Sequence, residues 1–196
     1  MSKTLFLDTD GQAEKPHVSK NTGQQEWYTP AKHLEAAREV MGEIDLDPAS
    51  SEIAQVLVKA KRYYTIDDDG LTQAWSGRVW LNPPFSAGVI EKFVDKLCAS
   101  WLREAVTSAI LLTNNASDTA WFQQAFTWAT AMCFPAGRIR FLTPSGSPGA
   151  PLQGQVFFYF GEGASHFCDV FSRFGRTLPA HSNDQLLWSG DEEGGR

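Results

Sequence analysis

Val79-Trp80-Leu81-Asn82-Pro83-Pro84-Phe85 joins an apolar run to a double proline, the pattern of a buried strand that stops abruptly in a rigid loop. Two consecutive prolines fix φ at about −65° and donate no backbone N–H, so neither a helix nor a central strand continues through them. In such a loop the Asn82 side-chain carbonyl and the Pro83 backbone carbonyl can point the same way. They form a pair of acceptors with no competing donor, suited to an NH₂ group. Phe85 adds a flat face on which a planar base stacks, an interaction of about 1–3 kcal/mol. The same string also serves as an ordinary turn, so its neighbours decide its meaning.

Downstream, Val89 to Leu102 reads as a long helix with a wide apolar face. Ser108 to Asn114 then reads as a buried parallel strand, apolar throughout rather than alternating. Ser117 is placed to cap a further helix that runs to about Ala129. Ala131–Phe134, Gly137–Phe141 and Gln155–Phe160 are expected as strands, with an antiparallel pair at the sheet edge. Thr143 to Gly154, rich in Pro and Gly, is expected to be a mobile loop that orders on substrate. Arg138 and Arg140 alternate with Ile139 and Phe141, which puts both guanidinium groups on one face, within reach of phosphates or of ion-pair partners. A short helix over 165–174 precedes a tail from about Thr177.

Upstream, Ile44-Asp45-Leu46-Asp47-Pro48-Ala49-Ser50-Ser51 reads as a short strand ending in a carboxylate, then a strand-to-helix turn of small residues. In doubly wound sheets ligands sit outside the carboxyl ends of the strands, where small residues admit them. The pair Asp45 and Asp47 suits a cationic ligand; the serines also suit a helix cap. Glu52 to Lys61 has weak helical character, and Arg62–Thr65 reads as a short strand. Asp67-Asp68-Asp69-Gly70 is an acidic turn. At Glu26-Trp27-Tyr28-Thr29-Pro30, Thr29 is expected to cap a helix with Pro30 in its first turn and Gly42 closing it. Trp27 and Tyr28 are left to be either core or a functional turn.

At 196 residues and 42% hydrophobic, the chain suits one domain. The expected organisation is a flexible arm over 1–25, an α/β domain over 26–176 and a disordered tail over 177–196. No apolar run approaches the roughly 20 residues of a membrane span, and a soluble, cytoplasmic protein is expected. The three cysteines and four histidines are scattered, without metal-ligand spacing, so neither a disulfide framework nor a metal is expected. The net charge of −6 comes largely from the two ends. Residues 15–183 hold 16 acidic and 15 basic side chains, a balance compatible with a local basic face but not with strong non-specific DNA binding.

Taken in order, Glu26-Trp27-Tyr28-Thr29-Pro30, Asp45-Leu46-Asp47-Pro48-Ala49-Ser50, Asp68-Asp69-Gly70-Leu71, Trp80-Leu81-Asn82-Pro83-Pro84-Phe85 and Gly137-Arg138-Ile139-Arg140-Phe141 resemble the phage-type DNA N6-adenine methyltransferases over roughly residues 26–175. The resemblance implies a compact Rossmann-like methyltransferase fold, mostly parallel with an antiparallel edge hairpin. It implies S-adenosylmethionine as donor and double-stranded DNA as substrate, with in-line transfer to the amine of an unstacked adenine. It implies that Asn82, Pro83, Pro84 and Phe85 are catalytic. Cofactor binding falls to Trp27, Tyr28, Thr29, Pro30, Asp45, Asp47, Pro48, Ala49 and Asp69, and substrate binding to Arg138, Arg140 and Phe141. Ser50 and Ser51 depart from the family pattern, standing where glycines are usual.

Methylation of RNA adenine, cytosine N4 or a protein glutamine is the nearest rival reading. A non-catalytic DNA-binding module with a decayed pocket is the other. A short recognition site read by the 143–154 loop is expected, because no separate recognition domain is inserted. The sequence carries no signal for oligomeric state.

Overall fold

The computed structural model describes residues 28–143, 145–149 and 153–180. Trp27, the expected arm and the stretch beyond 180 lie outside the described residues, as do four positions of the 143–154 loop. The chain alternates helices and strands: α1 (Ala31–Met41), β1 (Leu46–Asp47), α2 (Glu52–Val58), β2 (Arg62–Tyr63), β3 (Gly77–Leu81), α3 (Ile90–Leu102), β4 (Val106–Asn114), α4 (Ala120–Trp128), β5 (Ala131–Pro135), β6 (Gln155–Phe160), α5 (Ala164–Phe171) and β7 (Gly175–Pro179). The strands form one seven-stranded sheet in the order β2-β1-β3-β4-β6-β5-β7. β1 to β4 are parallel, β6 is antiparallel to both β4 and β5, and β7 pairs antiparallel with β5. The sheet is mixed, with β1 to β5 running one way and β6 and β7 the other, a Rossmann-like α/β arrangement with a parallel core.

Helices cover both faces, which explains the uninterrupted apolar strands. Trp80, Ile110, Leu112, Phe157 and Tyr159 point to the side of α1 and α5, against Leu34, Ala37, Phe167 and Phe171. Val79, Leu81, Ala109, Leu111 and Phe158 point to the side of α3 and α4, against Phe93, Leu97 and Phe122. Register holds the two sets apart: Val79 is level with Ala109, and Leu81 with Leu111. A slip of one residue would invert every side chain. Cys98 and Cys133 are buried in these layers, their thiols pushed up to about 12 chiefly by burial, and act as small hydrophobes.

Four local expectations need correction. Gly137–Phe141 forms no strand, because both edges of β5 are already occupied by β6 and β7. Buried Ile139 instead donates its N–H to the Gln155 side chain at 3.0 Å. The domain boundary expected at 176 falls inside β7, whose five residues pair with β5 from Ala131 to Pro135. The fourth helix begins at Ala120 rather than at a Ser117 cap, and the Thr119 hydroxyl donates to the Ala116 carbonyl. At α1, Pro30 itself holds the N-cap position and no side chain caps the helix. The Thr29 hydroxyl is thereby released for another partner.

Candidate active site

β1, β3 and β4 end on one rim of the sheet, and the loops after β1 and β3 carry Pro48, Ala49 and the Asn82–Phe85 stretch. β3 delivers Asn82 at its last residue plus one. By alternation its side chain turns to the α1 side, as Trp80 does, and there it meets Thr29: Asn82 Nδ2 donates to Thr29 Oγ1 at 3.4 Å. Thr29 is buried. Asn82 Oδ1 is shielded from solvent and receives no hydrogen bond. A buried acceptor left open costs roughly 1–3 kcal/mol, and this oxygen has lone pairs free for a donor.

The rest of the loop follows from its prolines. Pro83 is buried and Pro84 exposed, with Phe85 half-buried between them and the solvent. The Phe85 ring meets Phe141 edge-on, centroids 6.4 Å apart. Phe141 is held there because Tyr28 and Leu142 exchange backbone hydrogen bonds of 2.9 and 2.8 Å. Tyr28-Thr29-Pro30, Asn82–Phe85 and Phe141 are therefore one assembly, drawn from three distant parts of the chain. Behind Phe85 opens a cavity of about 220 Å³, lined among others by Glu91, Asn114, Thr119 and Trp121. Glu91 Oε2 is shielded and unpartnered there; neither Glu91 nor Asn114 carries a pattern by which the sequence alone would have singled it out.

Asp47 closes β1 on the same rim. Its carboxylate is buried and accepts from the Ala49 N–H at 3.3 Å and from Gln55 Nε2 at 3.1 Å. Burial dominates over these bonds and pushes the carboxyl up to about 6. Gln55 also donates to Ser50 Oγ at 2.7 Å, while its Oε1 receives the Ala60 N–H. Ser51 caps α2 by accepting from Ala54 at 3.3 Å, so the serines in the glycine positions serve the turn itself. Gln55 was not legible as a site residue; its only signal is that it stands one helical turn after the Ser51 cap, facing back over the Asp47 turn.

The acidic turn packs on the Pro48 turn. A Cβ on Gly70 would lie 2.0 Å from the Pro48 carbonyl oxygen, so only glycine allows this approach. The preceding Asp69 adopts φ 48° and accepts from its own turn at Leu71, with its carboxylate exposed on the rim. Trp75 donates to the Gly70 carbonyl at 2.8 Å and pins the turn from below.

Asp45 is a different case. It lies before β1, toward the opposite end of the sheet from Asp47, and its carboxylate takes the Arg78 Nε at 2.7 Å, the Arg78 N–H at 3.0 Å and Lys61 Nζ at 3.2 Å. Arg78 also pairs with Glu43. These contacts, Arg78 foremost, hold the Asp45 carboxyl well below the usual carboxylate range. The structure thus separates the expected carboxylate pair: Asp47 reaches the rim, and Asp45 ties β1 to β3. Strand alternation and direction, rather than charge, decide which acid faces a ligand.

Arg138 and Arg140 are exposed on either side of buried Ile139, next to Phe141 on the rim. Among the described residues no helix is long and apolar enough to cross a membrane, and no three His, Cys, Asp or Glu side chains are grouped to hold a metal ion.

No curated protein and no solved structure matches the chain. Residues 16–157 match the family described as DNA N-6-adenine-methyltransferase (Dam), a span that holds the Tyr28–Pro30 turn, the Asp47 turn, the Asn82–Phe85 loop and Phe141. Fold, rim and family match agree, and the chain belongs to the DNA N-6-adenine-methyltransferase family.

Proposed function

We propose that this chain methylates the exocyclic amine of an unstacked adenine in double-stranded DNA, with S-adenosylmethionine as donor and direct transfer to the nitrogen. The observation that carries the reading is the buried, unpartnered Asn82 Oδ1, oriented by Thr29 at the end of β3. An amine is the natural donor for that oxygen.

The residues on the rim fit such a donor. The buried Asp47 carboxylate makes no ion pair with any described residue, and a cation is what would compensate its burial. The Asp47–Ser51 turn opens beside it, with Asp69 and the Tyr28–Pro30 turn as further candidate contacts. When bound, S-adenosylmethionine supplies an electrophilic methyl group on a sulfonium.

The chain's own residues supply orientation and charge stabilisation. Adenine's amine delocalises its lone pair into the ring and is a weak nucleophile. Asn82 Oδ1 and the Pro83 carbonyl accept its two N–H groups, localise the lone pair on nitrogen and stabilise the positive charge that develops there. Loss of one such preorganised contact costs on the order of 3–4 kcal/mol of barrier. Phe85 stacks on the extruded base and offsets part of the few kcal/mol that unstacking costs. Asp47 holds the positive end of the donor, and Arg138 and Arg140 meet backbone phosphates.

The test is incubation with tritiated S-adenosylmethionine and DNA, RNA or protein, followed by mass spectrometry of the products. N6-methyladenine in DNA is expected. Label confined to RNA, cytosine or glutamine, or no detectable donor binding by calorimetry, would overturn the reading.

A further inference from the structure

At the far edge of the same rim lies an open cleft of about 420 Å³, lined by Ala136, Ser172, Arg173, Phe174, Gly175, Arg176 and Thr177. Topology puts it there: β5 ends at Pro135 on the rim where β3 and β4 end, and antiparallel β7 begins there at Gly175. The cleft has a built floor. A Cβ on Gly175 would stand 2.0 Å from the Phe134 carbonyl oxygen, and the Ala136 N–H donates to the Phe174 carbonyl at 2.9 Å.

Cations converge on it. Lys32 Nζ and the Arg173 guanidinium lie 6.0 and 5.2 Å from the Phe174 ring. Burial chiefly, with Lys32 and Arg173 adding to it, lowers the neighbouring His33 imidazole to about 4. Acids stand near these cations too: Glu39 pairs with Arg173 at 2.7 Å, Glu35 stands one turn from Lys32 on α1, and Asp169 one turn before Arg173. Arg176 is exposed and makes no ion pair with a described residue. Exposed Arg138 and Arg140 follow in sequence between Ala136, which lines the cleft, and Phe141, in a chain whose net charge is −6. Residues 172–177 fall outside the span matched by the family, 16–157.

We infer that the Arg173–Arg176 cleft is a phosphate-binding anchor for duplex DNA, gripping the backbone to one side of the target adenine. It rests on reading the Asn82 loop as the site of methylation on DNA. Four strand spacings separate β3 from β7, or about 19 Å. At 3.4 Å per base step, that distance places the anchored phosphate about five to six base pairs from the target. Phosphate contacts fix register and orientation without reading sequence.

The experiment measures affinity for a labelled mixed-sequence duplex across a salt series. Wild type is compared with Arg176→Ala, Arg173→Ala/Arg176→Ala, Arg176→Lys and a control, Arg103→Ala, which lies at the opposite end of the sheet. The slope of log affinity against log salt should become shallower by about 0.9 for each cleft arginine removed. Arg176→Lys should restore the wild-type slope, and Arg103→Ala should leave it unchanged. Thermal melts identify any variant that has lost its fold, and Arg176→Ala, at an exposed site, carries the test alone if the double variant melts. Wild-type slope and affinity in Arg176→Ala would overturn the anchor, as would absence of duplex binding by the wild type. Methylation of DNA by the wild type is scored separately, so DNA methylated with an unchanged slope sinks the anchor and spares the enzyme.

Discussion

Thr29 and Asn82, 53 residues apart in sequence, meet through a single side-chain hydrogen bond of 3.4 Å, and that bond leaves the Asn82 carbonyl oxygen free and buried. It fixes which end of the amide faces the α1 side and which is offered to a ligand. Asn82→Ala is expected to keep donor binding by calorimetry and to lower kcat by about 10²–10³-fold, the scale for removing one preorganised polar contact. Full activity would remove Asn82 from the mechanism.

Thr29→Val keeps the shape of the side chain and removes the acceptor for Asn82 Nδ2. A fall in kcat of about tenfold or more is expected with donor affinity retained, while Thr29→Ser should stay near wild type. Because both act through one amide, Thr29→Val on top of Asn82→Ala should cost little more than Asn82→Ala alone, which a double-mutant cycle measures.

Asp47 makes stability depend on pH. Its carboxyl titrates near 6 when folded, above its ordinary value of 3.8, so between those values the folded chain holds a proton that the unfolded chain has released. Stability should fall as pH rises through that window and level off above it, by a total of roughly 3 kcal/mol. Urea unfolding across pH 4–7 should show this contribution, and Asp47→Asn should abolish it. Donor affinity, if Asp47 holds a cation, should strengthen as pH rises through about 6.

Asp45 has the opposite sign and a different readout. Held below the usual range by Arg78, it stabilises the fold above its ordinary pKa, and the stabilisation is lost as pH falls below that value. At neutral pH, Asp45→Asn is expected to cost about 1–3 kcal/mol of stability, because charge-assisted bonds to Arg78 are weakened while water still reaches the site. Donor affinity measured under folded conditions should not change. A loss of affinity would return Asp45 to the cofactor site.

Gly70→Ala sets a methyl group against the Pro48 carbonyl, where no room exists. A cost of about 1–3 kcal/mol is expected from overpacking. Weaker donor binding should accompany it, because the turn that moves is the one following Asp47.

The sheet and the position of the Asn82–Phe85 loop were legible because their signals are local and chemical: an apolar run ended by Pro83 and Pro84, and a continuous β4 that only a two-sided sheet explains. The misreadings share one cause, that sequence shows a side chain's type but not what surrounds it. Gly137–Phe141 alternates as a strand does, yet the places beside β5 are taken by β6 and β7. Asp45 and Asp47 look like a pair, but they serve opposite ends of the strand. Thr29 resembles a cap, whereas Pro30 occupies that position and the hydroxyl turns to Asn82. Gln55, holding Asp47 and Ser50 together, was invisible because a glutamine on a half-exposed helix carries no signal of its partner.

The insertion of β6 between β4 and β5 also sets the order of assembly. β5 leaves the ribosome before the strand that links it to β4, so that half of the sheet stays open until Phe160 has been made, and its outer edge until Pro179. A nascent or truncated chain ending short of residue 180 would display an unpaired β5, a template for aggregation. The last few residues of the sheet therefore act as a closing seam, and a C-terminal deletion that reaches β7 should be read first as a solubility lesion.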